Sequence, residues 1–234
     1  MALARSRQAA RRVKDRWKAK QWYQVVAPAA FNSQVISETL ADDPAKLQNR
    51  TIETTMQDLT GDMKKMHIKL TFRVTDIQDR RAITTYVGHT MTSDYVRRLT
   101  RRGNTKIPLV LDLKTKDGSR IRVKPFAITD RRCQTTQAQE IRRVMTEILT
   151  ETAKKSTLNA FLAEILVGDL NGRIYKEARK IHPLRRVEIA KAEVLTAPTI
   201  ESDETPIIMP ASEEVEAPMD QGEESEVVAD DSEE

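Results

Sequence analysis

Eight of the first twenty residues are basic: Arg5, Arg7, Arg11, Arg12, Lys14, Arg16, Lys18 and Lys20, opposed only by Asp15. Guanidinium and ammonium groups at this density pair with the phosphates of a polyanion. Arginine does so through a bidentate fork and can also stack on a base. About six phosphates held by this arm imply a log-log salt slope near −4 at the single-strand coefficient. Three further pairs, Arg101-Arg102, Arg131-Arg132 and Arg185-Arg186, fall where loops or element ends are expected. They are read as additional nucleic-acid contacts, against the plainer reading of solvated charge at the ends of elements.

The net charge of +4 hides this chemistry. Fourteen of the 35 acidic residues lie beyond position 200, where there is no Lys or Arg, so residues 1–200 carry all 39 basic groups and a charge of +18. Such a body repels itself unless an anionic partner neutralises it, and nucleic acid is the commonest such partner.

Little else in the sequence could do chemistry. His67, His89 and His182 are too widely spaced to share a metal, since ligand pairs recur at short intervals. His182, just before Pro183, is read as a helix C-terminal cap. Cys133 has no second cysteine, which excludes an intramolecular disulfide, fits a reducing compartment and reads as an inert thiol. Asp42-Asp43 lies in an expected loop with no base or nucleophile nearby. Seven glycines supply no phosphate loop, dinucleotide fingerprint or nucleophile elbow. No enzyme, metal or cofactor is expected. Trp17 and Trp22 are read as core anchors leading into a strand, with base stacking as the alternative, and the scattered methionines as core filler. No apolar run is long enough to span a membrane. The arginine-rich start has the composition of a mitochondrial presequence, but its flow into Trp17, Trp22 and Tyr23 argues against cleavage.

The elements that must position the basic pairs follow from periodicity. Met66, Ile68, Leu70, Phe72 and Val74 alternate with polar residues, and after a turn at 78–81 a second strand covers 82–87; together they form an antiparallel hairpin. A short helix over 92–102, capped by Thr92 or Ser93, turns Tyr95, Val96 and Leu99 inward and ends at Arg101, Arg102 and Gly103. Leu109, Leu111 and Leu113 face Ile121 and Val123 across Asp117-Gly118, a strong hairpin signal, with Arg120, Arg122 and Lys124 outward. From Thr135 the period becomes 3.6: Ala138, Ile141, Met145, Ile148 and Thr152 form a stripe with Val144 and Leu149 beside it. A second helix covers 158–166. A third starts at Asp169, with Leu170, Ile174 and Ala178 on one side, and Pro183 ends it. Residues 185–195 alternate again as a returning strand. The division is therefore 1–20, a basic arm disordered alone and ordered on RNA; 21–132, a β-rich core; 133–195, helices and a final strand; and 196–234, an acidic tail too polar to fold.

These motifs, in this order, resemble a ribosomal protein family of the archaeal and eukaryotic small subunit, the one whose eukaryotic member is called small-subunit protein three-a. The matching runs are WYQVVAP at 22–28 with Phe31, MQDLTGD at 56–62, VGHTMTSDYV at 87–96, LDLKTKDGSRIRV at 111–123, AITDRR at 127–132, QEIRRVMTEIL at 139–149 and IHPLRRVEIAK at 181–191. The resemblance implies an α+β fold with an antiparallel, barrel-like β core, a C-terminal helical segment and a returning strand. It implies a structural, ribosomal-RNA-binding constituent of the small subunit, an archaeal-type ribonucleoprotein of translation. Its place would be the platform near the messenger RNA exit of cytoplasmic ribosomes. The implied partners are small-subunit ribosomal RNA, neighbouring small-subunit proteins and messenger RNA, with no membrane. A free RNA-binding or RNA-chaperone protein is the alternative that composition leaves open.

Overall fold

The computed structural model describes Trp17 and residues 20–196. Seven of the arm's eight basic residues and the acidic run beyond Thr196 lie outside the described residues, as do the order expectations placed on them.

The described chain is α+β: nine strands in one mixed, open sheet, with three long helices near its C-terminal end. The strands are β1 (Gln21–Val26), β2 (Val35–Ala41), β3 (Thr51–Thr55), β4 (Ile68–Gln78), β5 (Arg81–Met91), β6 (Lys106–Pro108), β7 (Leu111–Lys114), β8 (Arg120–Thr129) and β9 (Leu184–Thr196). The helices are α1 (Met56–Thr60), α2 (Ser93–Leu99), α3 (Thr135–Lys155), α4 (Leu158–Val167) and α5 (Asp169–Ala178).

The expectation of an antiparallel, barrel-like core is corrected by the pairing around β5. Strand β4 runs antiparallel along one edge of β5. The other edge is divided between β1, which is parallel at residues 81–83, and β9, which is antiparallel at residues 88–90. The sheet therefore forks into two wings, β1-β2 on one side and β9-β8 with β6 and β7 on the other, and does not close. At the fork, β5 and β9 come so close that a Cβ on Gly88 would run into the Ala192 carbonyl oxygen, so the crossing requires glycine.

Both expected hairpins form. The Asp117-Gly118 turn holds Gly118 at a φ of 77°, open to a residue without a Cβ. The Asp117 carboxylate accepts the Leu158 backbone N–H at 2.7 Å, and Thr157 accepts that of Ala160 at 3.4 Å, so this turn also caps α4. On α3 the buried stripe is Ala138, Ile141, Met145, Leu149 and Thr152, with Ile148 only half-buried. Leu149 takes the inner position because it lies four residues after Met145, on the same helix face.

Other elements end earlier than expected. Helix α2 stops at Leu99, Thr92 stands at its N-cap without a side-chain bond, and Tyr95, Val96 and Leu99 are half-buried. Helix α5 stops at Ala178, ahead of Pro183; the His182 backbone N–H reaches the Ala178 carbonyl oxygen at 3.4 Å, while its ring contacts the Pro183 carbonyl oxygen. Thr196, assigned to the tail, is the last residue of β9. Met56 and Met145 fill the core, but Met63 and Met66 are exposed because β4 begins only at Ile68.

Candidate nucleic-acid interface

Three chain segments converge at one end of the β6-β8-β9 wing, and each carries an arginine pair. Lys106 at the start of β6 pairs with Ile128 near the end of β8. Ile128 and Thr129 pair on their other side with Arg186 and Leu184 at the start of β9. The turn before β6 holds Arg101 and Arg102, the loop after β8 holds Arg131 and Arg132, and β9 opens with Arg185 and Arg186. Register alone brings together pairs that lie far apart in sequence.

Two threonines fix this junction. The fully buried Thr129 donates its backbone N–H to the Thr105 carbonyl oxygen at 3.0 Å, and its hydroxyl accepts the Thr105 N–H at 2.9 Å. The same hydroxyl lies 2.5 Å from the Arg131 carbonyl oxygen, to which it can donate. The Thr105 hydroxyl accepts the Cys133 N–H at 3.2 Å, and Asp130 donates its N–H to the Pro183 carbonyl oxygen at 3.0 Å. Because unpaired backbone groups are costly to bury, this network holds the three loops against one another. Sequence reasoning missed Thr105 and Thr129; the one available signal was a threonine ending the strand in AITDRR, just before an arginine pair.

The six arginines are not equivalent. All are exposed, but Arg186 donates from Nε to Glu188 at 2.8 Å. Glu188 is only 8 % exposed, and its other oxygen accepts from the Asn171 amide at 3.0 Å. The Glu188 hydrogen bond raises the Arg186 pKa. That guanidinium already neutralises a buried carboxylate, which would otherwise be costly to keep charged. Among the described residues, no carboxylate lies within ion-pair distance of Arg101, Arg102, Arg131, Arg132 or Arg185. These five charges are available to an anion.

Arg185 and Arg186 also line a cleft of about 460 Å³ with Lys64, Lys65 and His67, extending the cationic surface. On its wall His67 stacks on Tyr95 at 3.9 Å between ring centroids. Burial lowers the His67 pKa and raises that of Tyr95, favouring the neutral form of each.

Several charged residues outside this end have local partners. Arg122 grips Asp112 with two bonds of 2.7 and 2.8 Å, Lys191 pairs with Glu193, and Lys46 bridges Asp42 and Asp43. Burial raises the Cys133 thiol pKa despite the neighbouring arginines, which disfavours a reactive thiolate. Among the described residues no group of three or more His, Cys, Asp or Glu side chains could hold a metal, and no helix is long and apolar enough to cross a membrane. Of the arm, Lys20 is described: its ammonium stands 3.8 Å over the Trp17 ring. Trp17 and Trp22 are 72 % and 60 % exposed, so neither is the core anchor expected of it; Tyr23 fills that role.

The model of the ribosomal S3Ae family matches residues 8–198. Among curated proteins, the chain is 40 % identical to small ribosomal subunit protein eS1 of Staphylothermus marinus, over 84 % of this chain and 93 % of that protein. It is 43 % identical to the protein of that name from Desulfurococcus amylolyticus, over 84 % and 92 %. With the one from Sulfurisphaera tokodaii it shares 41 % identity over 80 % and 96 %. The family match stops at 198, so the acidic run lies beyond it.

Proposed function

This chain belongs to the ribosomal S3Ae family, and from that premise we propose that it is a structural constituent of the small ribosomal subunit, held there by ribosomal RNA. The observation that carries the RNA-binding part is the convergence of Arg101-Arg102, Arg131-Arg132 and Arg185 on one end of the sheet, over a junction fixed by Thr105 and Thr129. A cluster of guanidiniums carried on hydrogen-bonded loops suits folded RNA, whose phosphates are fixed in space and whose grooves are recognised largely by shape. The arm from Arg5 to Lys20 adds a second set of phosphate contacts, and a segment of that composition can order on its target.

In this reading, residues 21–132 and 133–195 act as one body, with hydrophobic side chains of both spans in a common core. The body sits on the platform near the messenger RNA exit in cytoplasmic ribosomes, beside neighbouring small-subunit proteins and within reach of messenger RNA. No catalytic step is assigned to it.

The test is a salt titration of binding to RNA extracted from small subunits. Replacing Arg101, Arg102, Arg131 and Arg132 by alanine should reduce the log-log salt slope by about 3, near 0.7 for each phosphate no longer neutralised. An unchanged slope would remove this end of the sheet from the interface.

A further inference from the structure

Strand β1 has two faces. Tyr23 and Val25 point into a small core, whereas Trp22 and Gln24 point the other way. Trp22, 60 % exposed, contributes nothing to either hydrophobic cluster. Gln24 lies opposite Glu38 of β2 on one side and Arg81 of β5 on the other, and Arg81 lies opposite Gln78 of β4. With Asp79 and Arg80, these residues surround Trp22 in a shallow concavity of about 710 Å³.

The chemistry of this hollow is one flat aromatic ringed by two guanidiniums, two amides and two carboxylates. A protein-docking patch is depleted of charged residues at its core, whereas four charged side chains ring this indole. A single indole face surrounded by hydrogen-bonding groups instead matches an unpaired nucleobase. The ring stacks on the base, Arg80 and Arg81 reach flanking phosphates, and Gln24, Gln78, Glu38 and Asp79 can meet donors and acceptors on the base edge. Position in the chain favours the same occupant, because β1 begins directly after Lys20, the last cation of the basic arm. RNA held by that arm passes within a few residues of Trp22. We infer that Trp22 is a stacking surface for one unpaired RNA base, in a site separate from the arginine cluster of the β6-β8-β9 wing.

This inference rests on the proposed RNA-binding role, and its test keeps the two apart. A full-length W17F chain leaves Trp22 as the sole indole. It is titrated with a short dye-labelled single-stranded RNA of mixed sequence and, separately, with the duplex of that sequence, following dye anisotropy for binding and indole emission for stacking. Saturating single strand should quench Trp22 and duplex should not. In the otherwise native chain, W22A should weaken single-strand binding about tenfold and leave duplex binding unchanged, with W22F restoring most of the loss. Single strand that binds without quenching, or equal affinity of W22A, would overturn the stacking site while leaving RNA binding intact. Absence of an anisotropy change with either RNA would overturn the RNA-binding role itself, and this inference with it.

Discussion

The two wings of the sheet differ in what lies beneath them. Under β6 to β9, helices α3, α4 and α5 seal a continuous core that includes Ile141, Met145, Leu149, Phe161, Leu162 and Ile174. Under β1 and β2 lies a smaller cluster, Tyr23, Val25, Ala41, Leu47, Val74 and Ala82, flanked by the partly buried Ile36, Ile52 and Ile77. The wing with deep support carries the ordered arginine cluster, and the thin wing carries an exposed tryptophan beside the basic arm. Loops that hold an arginine cluster together rest on a packed foundation, whereas an exposed aromatic needs only one face of a strand.

The largest expected effect compares the two cores directly. Leu149→Ala beneath the thick wing should cost about 4 kcal/mol, and Leu47→Ala beneath the thin one about 2 kcal/mol, because a small cluster collapses more readily around a void. Both leucines are fully buried. Denaturant midpoints measure the difference, and equal losses would erase the distinction between the wings.

Next comes the joint between them. Gly88→Val should destabilise the chain by about 3 kcal/mol, since the added side chain must push β5 off Ala192. A wild-type thermal midpoint for that variant would show that the close approach is not needed.

Beside Gly88, the buried His89 makes the joint sensitive to acid. Its Nδ1 lies 3.1 Å from the Tyr86 hydroxyl and its Nε2 lies 3.4 Å from the Ile189 carbonyl oxygen. One neutral tautomer satisfies both contacts, with Nε2–H donating and Nδ1 accepting. Burial pushes the His89 pKa down from 6.5 to about 4. The unfolded chain therefore binds this proton first as pH falls: the stability is present above pH 6.5 and is lost through the window down to about 4. Between pH 7 and pH 5 the loss should be about 2 kcal/mol. His89→Gln should flatten that portion of the stability profile, whereas an unchanged slope would assign it to other groups.

The smallest effect concerns the arginine junction. Thr129→Val keeps the shape but leaves the Thr105 N–H without its acceptor, at a cost of about 1.5 kcal/mol. Hydrogen exchange should rise at residues 103–105 and 130–133 while α4 remains protected. Uniform protection would mean that the loops do not depend on this hydroxyl.

The elements most legible in the sequence are those whose periodicity repeats locally: the β4-β5 and β7-β8 hairpins, and helices α3 to α5. The fork is not legible there, because the parallel pairing of β1 with β5 and the close approach of Gly88 to Ala192 depend on residues far apart in the chain. For the same reason the three arginine pairs can be identified singly but not placed together, since their convergence depends on register between β6, β8 and β9. Trp22 departs from its expected core position although strand alternation held the answer: with Val25 inside, Tyr23 must face inward and Trp22 outward. Arg186 looks like its neighbours until the fold places the buried Glu188 beside it.

The most direct test of the central claim is sedimentation of an extract from cells producing this chain, at high magnesium and modest salt. A phosphate-held constituent of the small subunit should migrate with small subunits and whole ribosomes, and high salt should strip it from them. A chain that stays at the top of the gradient under both conditions would contradict the account.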